Sequence, residues 1–326
     1  MSLRLWIVTP VYLDVPSFLM LREHVLRAIQ EEPALPPLTV QFVVADDTGG
    51  LDPEMEQVDQ LDDVRIIEPP FNLGHQRAIV YALRTVAGDM DDEDLVVTMD
   101  ADGEDAPSDV PRLLIELIAA QSDRTLVLAL RSQRSESHTF RLFYRLFRAG
   151  FKIATGTVVR SGNFAAYHGW FARRVLAHPN FDLCYSSTLT SLQLDTRAVE
   201  CDRSTRYAGQ SRMSFSKLVR HGVSMLMPYL DRIAIRAMIA FSVVIGVCTV
   251  LGIAVVANKL FTSYATPGWA TTALLGLGIS SLLALGNFVV LFAVYSQSRG
   301  LSLSDLEHQD HGSTRHPSSA PDRTPL

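Results

Sequence analysis

Two long runs without a charged residue constrain this chain more than any other feature. Met238 to Ala257 gives 20 residues without Asp, Glu, Lys or Arg, and a second uncharged stretch runs from Thr271 to Tyr295. About 20 apolar residues are needed for a helix to cross the roughly 30 Å hydrocarbon core of a bilayer. Core helices of soluble proteins seldom run this far without a charge, so the two runs are expected to form a transmembrane hairpin (domain 233–298, spans about 238–257 and 271–295). Arg220, Arg232 and Arg236 precede the first run and Arg299 follows the second, whereas the connector holds only Lys259. By the positive-inside rule, both termini and everything before the hairpin are expected to be cytoplasmic. Tyr264, Trp269 and Tyr295 suit interfacial positions. The N-terminal MSLRLWIVTPVY lacks the apolar core and cleavage site of a signal peptide, so insertion is expected to rely on the hairpin. Residues 299–326, rich in Ser, His, Pro and Asp, have no apolar periodicity and read as a disordered tail. Gly246, Gly252, Gly276, Gly278 and Gly286 would allow close helix packing, within the hairpin or in a homo-oligomer.

The charge balance of the remainder is segregated. Residues 1–110 carry 6 basic and 23 acidic side chains, residues 111–236 carry 19 and 8, and residues 237–326 carry 4 and 4. A net charge of −6 argues against a general nucleic-acid binder. The acidic part suits a bound cation, and the basic part suits anions at a membrane surface. Cys184, Cys201 and Cys248 form no CxxC pair, and neither a disulfide framework nor a thiolate zinc site is expected.

Apolar runs at 3–10, 39–45, 64–68 and 95–99 alternate with helical patterns at 17–30 and 74–87, which predicts βαβ units and a mostly parallel sheet. In such sheets ligands sit beyond the carboxyl ends of the strands. Polar groups follow each predicted strand: Pro10-Val11-Tyr12-Leu13-Asp14, Asp46-Asp47-Thr48-Gly49-Gly50, Asn72-Leu73-Gly74-His75-Gln76-Arg77, and Asp100-Ala101-Asp102-Gly103-Glu104-Asp105. Asp100, Asp102 and Glu104 alternate, so their carboxylates would converge in an extended turn. Hard oxygen ligands of this kind suit Mg²⁺ or Mn²⁺ completed by substrate phosphates. The acidic residues just upstream, Asp89, Asp91, Asp92, Glu93 and Asp94, read instead as a solvated turn.

Beyond a fifth predicted strand (125–130), His138 to Ala154 places Phe140, Phe143, Phe147 and Phe151 on one helical stripe. Arg141, Arg145, Arg148 and Lys152 fall on a neighbouring one. This is either a basic helix lying in a membrane interface or a surface helix packed by its Phe face. A further basic segment, Arg203 to Arg220, contains Arg206, Tyr207, Gly209, Ser211 and Arg212, and its Arg, Gly and Ser are suited to phosphate. The sequence has no GxxxxGK[ST] loop, no dinucleotide fingerprint after a strand, no GxSxG and no HExxH, which removes the usual ATPase, dehydrogenase and hydrolase readings.

Taken with Ser161-Gly162-Asn163-Phe164 and the C-terminal hairpin, these motifs resemble family 2 glycosyltransferases of the dolichyl-phosphate mannose synthase-like type, over about residues 3–232. The resemblance implies an α/β GT-A (Rossmann-like nucleotide-diphospho-sugar transferase) domain at 1–232. It implies an inverting, metal-dependent transfer from a UDP- or GDP-sugar to a membrane polyprenyl phosphate for cell-envelope glycan synthesis, at the bacterial inner membrane. Pro10, Tyr12, Asp14, Asp46, Asp47, Asn72, Gly74 and Arg77 would bind the nucleotide sugar. Asp100, Asp102 and Asn163 would serve catalysis. Asp100, Asp102 and Glu104 would hold Mg²⁺ or Mn²⁺, and Arg131, Arg206, Ser211 and Arg212 would meet the acceptor phosphate. The chain departs from the family pattern at Glu104, usually Gln, and at Asn163, often Asp. Those departures keep a second reading open, a membrane-tethered sugar-nucleotide sensor or inactive scaffold. A processive polysaccharide synthase fits less well, because the sequence has no QxxRW motif.

Overall fold

A computed structural model of the chain describes residues 3–120, 122–131, 138–157, 161–192, 194–201, 204–207, 215–262 and 266–297. Ser211, Arg212 and the tail at 299–326 lie outside them, as do the side chains of Arg131, Phe140 and Phe143. The elements run β1 (Leu3–Val11), α1 (Val15–Gln30), β2 (Leu38–Asp46), α2 (Met55–Asp59), β3 (Val64–Ile67), α3 (His75–Val86), β4 (Leu95–Thr98) and α4 (Val110–Ala119). They continue through β5 (Thr125–Arg131), α5 (His138–Thr155), β6 (Ser161–His168), α6 (Gly169–Arg174), α7 (Tyr185–Ser191) and β7 (Asp195–Cys201). The last three are α8 (Phe215–Leu226), α9 (Leu230–Phe261) and α10 (Trp269–Gln297).

Among the described residues the strands form one seven-stranded sheet in the order β3-β2-β1-β4-β6-β5-β7. β1 pairs in parallel with β2 and β4, whereas β6 runs antiparallel to both β4 and β5. The central strands are apolar on both faces because both are covered. Leu5 and Ile7 of β1 join Phe18, Leu21, Leu113 and Leu117 of α1 and α4 on one side. Trp6 and Val8 join Ile79 and Leu83 of α3, Phe171 of α6 and Tyr185 of α7 on the other. The reversed direction of β6 has a direct functional consequence. With Thr98 of β4 opposite Ala165, the start of β6, including Asn163, lies at the same rim as the carboxyl ends of β1, β2 and β4.

The acidic run before β4 is a solvated turn only in part: Asp89, Asp91 and Glu93 are exposed, but Asp92 and Asp94 are held by side chains from elsewhere in the fold. Asp94 is buried and accepts from Trp6 Nε1 at 2.9 Å, from Arg4 Nε at 3.3 Å and from the Asp91 amide at 3.0 Å. Asp92 bridges Arg173 and Arg174 at 2.7 and 2.6 Å, and those two guanidinium groups hold its carboxyl below its usual pKa against the opposing effect of burial. Basic residues brought from β1 and α6 thus convert sequence-local repulsion into a clamp. Asp94→Ala would leave the buried indole N–H without its partner, and an unsatisfied buried donor costs about 1–3 kcal/mol. The expected loss of stability is about 3 kcal/mol, read by urea denaturation against wild type.

α5 packs through the end of its Phe stripe. Phe151 meets Tyr229 edge-on at 5.4 Å, and the two rings cluster with Cys184 and Met225. α9 begins eight residues before the expected span because its first two turns belong to this junction. Arg236 donates to the Ile153 carbonyl at 2.7 Å and Arg232 to the Ser191 carbonyl at 3.3 Å. Beyond it, the described residues include two helices long and apolar enough to cross a membrane, Gly222–Phe261 and Trp269–Tyr295. Only 11% and 6% of their most apolar stretches are buried, so they are not core helices. Val243, Val250, Ile253, Leu275, Leu282 and Val290 all point outward. The architecture is the expected one, an α/β GT-A domain followed by two apolar helices.

Candidate active site

Three strand ends and the start of β6 build the rim. After β2, the two carboxylates of Asp46 and Asp47 are turned to the backbone. Asp46 accepts from Thr48 N and Oγ1 at 3.0 and 2.6 Å and from Gly50 N at 3.2 Å. Asp47 accepts from Leu73 N at 2.7 Å and Gly74 N at 3.2 Å, while Asn72 Nδ2 donates to the Asp47 carbonyl at 2.9 Å. Burial, the largest influence on Asp47, raises its pKa. Gly74 has φ +80°, a conformation that favours glycine, and it delivers the chain into α3. The segment that would grip a nucleotide is therefore pre-shaped by Asp46, Asp47 and Asn72. Tyr12 is 53% exposed beside Leu13, a non-glycine residue at φ +51°. Strained backbone of this kind clusters at ligand sites. Pro10 is buried at the end of β1, Asp14 stands at the start of α1, and Arg77 is exposed on the first turn of α3.

The acidic turn after β4 sits at the centre. The Asp100 amide donates to Asp105 Oδ2 at 2.9 Å, which fixes the main chain under Asp100. Asp100 Oδ1 meets His75 Nε2 at 2.8 Å and Asn163 Nδ2 at 3.0 Å. Surrounding protein atoms oppose the charged form of His75, but Asp100, Asp102 and Asp105 outweigh them and its pKa is raised. Asp102 Oδ1 accepts from the Glu104 amide at 3.0 Å. Loss of solvent first, and then the adjacent Asp100 charge, push the Asp102 carboxyl above its usual pKa despite the opposing Arg206.

Arg206 lies on this turn. Its guanidinium reaches Asp102 Oδ2 at 2.7 Å and Glu104 Oε1 at 2.9 Å. The segment that carries it is zipped to the turn by two main-chain bonds, Ser204 N to the Glu104 carbonyl at 3.2 Å and Tyr207 N to the Asp102 carbonyl at 3.0 Å. The Tyr207 ring covers Gly103, and its hydroxyl lies 3.0 Å from His24 Nδ1. Gly103 has φ +84°, and a Cβ there would lie 2.8 Å from the Tyr207 ring. Gly103→Ala is accordingly expected to cost about 2 kcal/mol from backbone strain alone and to detach Tyr207. The measurements are urea denaturation and the change in Tyr207 fluorescence against a Tyr207→Phe control.

Of the expected metal ligands, the structure brings Asp100 and Asp102 together, with Arg206 bridging Asp102 and Glu104. Among the described residues no group of three or more His, Cys, Asp or Glu side chains converges as a metal cage. Two neighbouring carboxylates that remain electrostatically strained beside an arginine still fit a divalent cation that takes its other ligands from substrate phosphate. Arg131 ends β5 opposite Cys201 of β7. His75, Gln76, Asp105 and Tyr207 belong to the site although their residue types at those positions carried no specific signal.

The sequence pattern of glycosyl transferase family 2 matches residues 6–176. Among solved structures, the chain is similar to glucosyl-3-phosphoglycerate synthase from Mycobacterium tuberculosis in complex with Mn²⁺, UDP and glucosyl-3-phosphoglycerate, with 19% identity, 70% of this chain and 79% of that one covered, and a TM-score of 0.45. It is also similar to mannosyl-3-phosphoglycerate synthase from Rubrobacter xylanophilus, with 14% identity, 71% and 74% covered, and a TM-score of 0.47. No curated protein matches the chain. The family pattern runs from β1 through the acidic turn to α6 and takes in more than half of the 326 residues: the chain belongs to glycosyl transferase family 2 and is a glycosyltransferase.

Proposed function

We propose that the chain transfers a sugar, with inversion, from a UDP- or GDP-linked donor to a membrane polyprenyl phosphate at the cytoplasmic face, in the manner of dolichyl-phosphate mannose synthase-like enzymes. The observation that carries this reading is the packing of the first apolar helix, at its start, against the transferase domain. α9 starts within the packed junction of Phe151 and Tyr229 and runs on as an apolar, outward-facing helix. A transferase domain (1–232) tethered this closely to a transmembrane hairpin (233–298) would meet an acceptor whose phosphate lies at the bilayer surface, and residues 299–326 would form a cytoplasmic tail.

In this reading Tyr12, with Pro10 and Asp14, borders the nucleoside, while Asp46 and Asp47 shape the loop and Asn72, Gly74 and Arg77 border the diphosphate. Asp100 and Asp102 hold Mg²⁺ or Mn²⁺ against the donor. Bound there, the metal would neutralise charge that develops on the departing nucleoside diphosphate. Arg206 supplies positive charge beside it and, with Arg131, Ser211 and Arg212, meets the acceptor phosphate. That phosphate is already an anion at neutral pH, so the site requires no strong base, consistent with an amide rather than a carboxylate at position 163.

Membranes containing the protein, supplied with Mg²⁺ or Mn²⁺ and a panel of labelled UDP- and GDP-sugars, are expected to form a chloroform-extractable, acid-labile product from one donor. Phosphoglyceric acid serves as a water-soluble control acceptor. Label appearing only in the aqueous phase with that acceptor would overturn the lipid reading. Nucleotide binding without any product would favour the sensor.

A further inference from the structure

A main-chain N–H is a donor only, and this fixes the polarity of a row of amides beneath Asp100. Ser186 N donates to Gln76 Oε1 at 2.9 Å, and Cys184 Sγ lies 3.6 Å from the same oxygen. Gln76 therefore presents Nε2, its donor, to Asn163 Oδ1. Asn163 is in turn left with Nδ2 toward Asp100 Oδ1 at 3.0 Å, a nitrogen that also lies 2.6 Å from His75 Nε2. Reversing the Gln76 amide would set N–H against N–H at Ser186. Reversing Asn163 would give His75 Nε2 an oxygen in place of the Nδ2 now 2.6 Å away, but would set N–H against N–H at Gln76 and oxygen against oxygen at Asp100, two unfavourable contacts for the one relieved. The Asn163 main chain is held as well, since Thr98 Oγ1 donates to its carbonyl at 2.6 Å, and the residue is only 6% exposed.

We propose that Gln76 is a positioning residue of the transfer site: ordered by the Ser186 N–H at the start of α7, it holds Asn163 as a hydrogen-bond donor to Asp100 and so keeps that carboxylate in one orientation. The inference rests on the reading of Asp100 as a metal ligand. It gives Asn163 a definite role in place of a carboxylate. An Asp at 163 would set an oxygen where Nδ2 now donates, 3.0 Å from Asp100, and the two like charges would repel. Gln76 touches neither donor nor acceptor in this account and acts only through Asn163.

The test uses the full-length protein and Mn²⁺ alone, with free Mn²⁺ read by electron paramagnetic resonance. Gln76→Met keeps the side-chain length without either hydrogen bond, and Asn163→Ala removes the amide. Hydrogen-bond partners of metal ligands typically matter by 10–100-fold in affinity. Each single variant is therefore expected to bind Mn²⁺ about tenfold more weakly. The double variant should bind no more weakly than Asn163→Ala, because both changes break the same contact to Asp100. Losses that multiply in the double variant would overturn the proposal. So would a Gln76→Met protein with a lowered Tm and unchanged Mn²⁺ affinity, which would leave Gln76 as an anchor for α7. A wild-type chain that binds no Mn²⁺ would overturn the metal reading and this inference together, whereas wild-type binding unmoved by either variant overturns this inference alone.

Discussion

Asp102→Asn is expected to lower sugar transfer by about 10³-fold, in line with the loss of one preorganised charge-stabilising group from a transferase site, without lowering Tm. The two halves of this expectation have one cause. Asp102 is desolvated and stands beside Asp100, so its carboxyl is held above its usual pKa and its charged form opposes folding at neutral pH. The asparagine carries no such charge, and its Oδ1 still accepts from the Glu104 amide that Asp102 now holds at 3.0 Å. Arg206 keeps its bond to Glu104. Activity measured with a saturating donor, beside thermal melting of the same preparation, checks both halves. A variant that melts much lower than wild type would mean that Asp102 holds the fold together, not the donor.

Arg206→Met is expected to shift two affinities in opposite directions. The guanidinium lies on Asp102 and Glu104 at 2.7 and 2.9 Å, where it partly neutralises the charge that a cation would neutralise. Its removal should tighten binding of Mn²⁺ alone by about tenfold, equivalent to about 1.4 kcal/mol. The turn itself is retained by the main-chain bonds from Ser204 and Tyr207. Transfer should nevertheless fall by about 100-fold, the smaller end of what losing one partner of a hydrogen-bonded charge pair costs at a binding site. The acceptor KM should rise more than the donor KM. Weaker Mn²⁺ binding in the variant would place Arg206 among the groups that shape the turn, and equal changes in the two KM values would remove it from the acceptor.

Much of this site is legible in the sequence because it depends on local pattern. Apolar runs such as 95–99 end at an acid, and a strand gives that acid a direction. The two long apolar helices are legible for the same reason, as length and composition alone mark them. What the sequence hides is partnership across long separations. Asp92 and Asp94 look like members of a solvated run until β1 brings Arg4 and Trp6, and α6 brings Arg173 and Arg174, from about 80 or 90 residues away. Glu104 alternates with Asp100 and Asp102, but the sequence does not show that Arg206, from beyond β7, bridges Glu104 and Asp102. Asp46 and Asp47 look alike in sequence, but one closes its own turn and the other starts α3. Asn163 gains its meaning only from the antiparallel course of β6, which no local pattern reveals.

The most direct test of the central claim is a lipid-transfer assay on membranes containing wild-type and Asp102→Asn protein, with label supplied on each donor in turn. The account predicts a chloroform-extractable sugar phosphate from the wild type with one UDP- or GDP-sugar, lost on chelation of divalent metal, restored by Mg²⁺ or Mn²⁺, and absent from Asp102→Asn. Lipid product that persists in the variant, or wild-type transfer to a soluble acceptor alone, would contradict it.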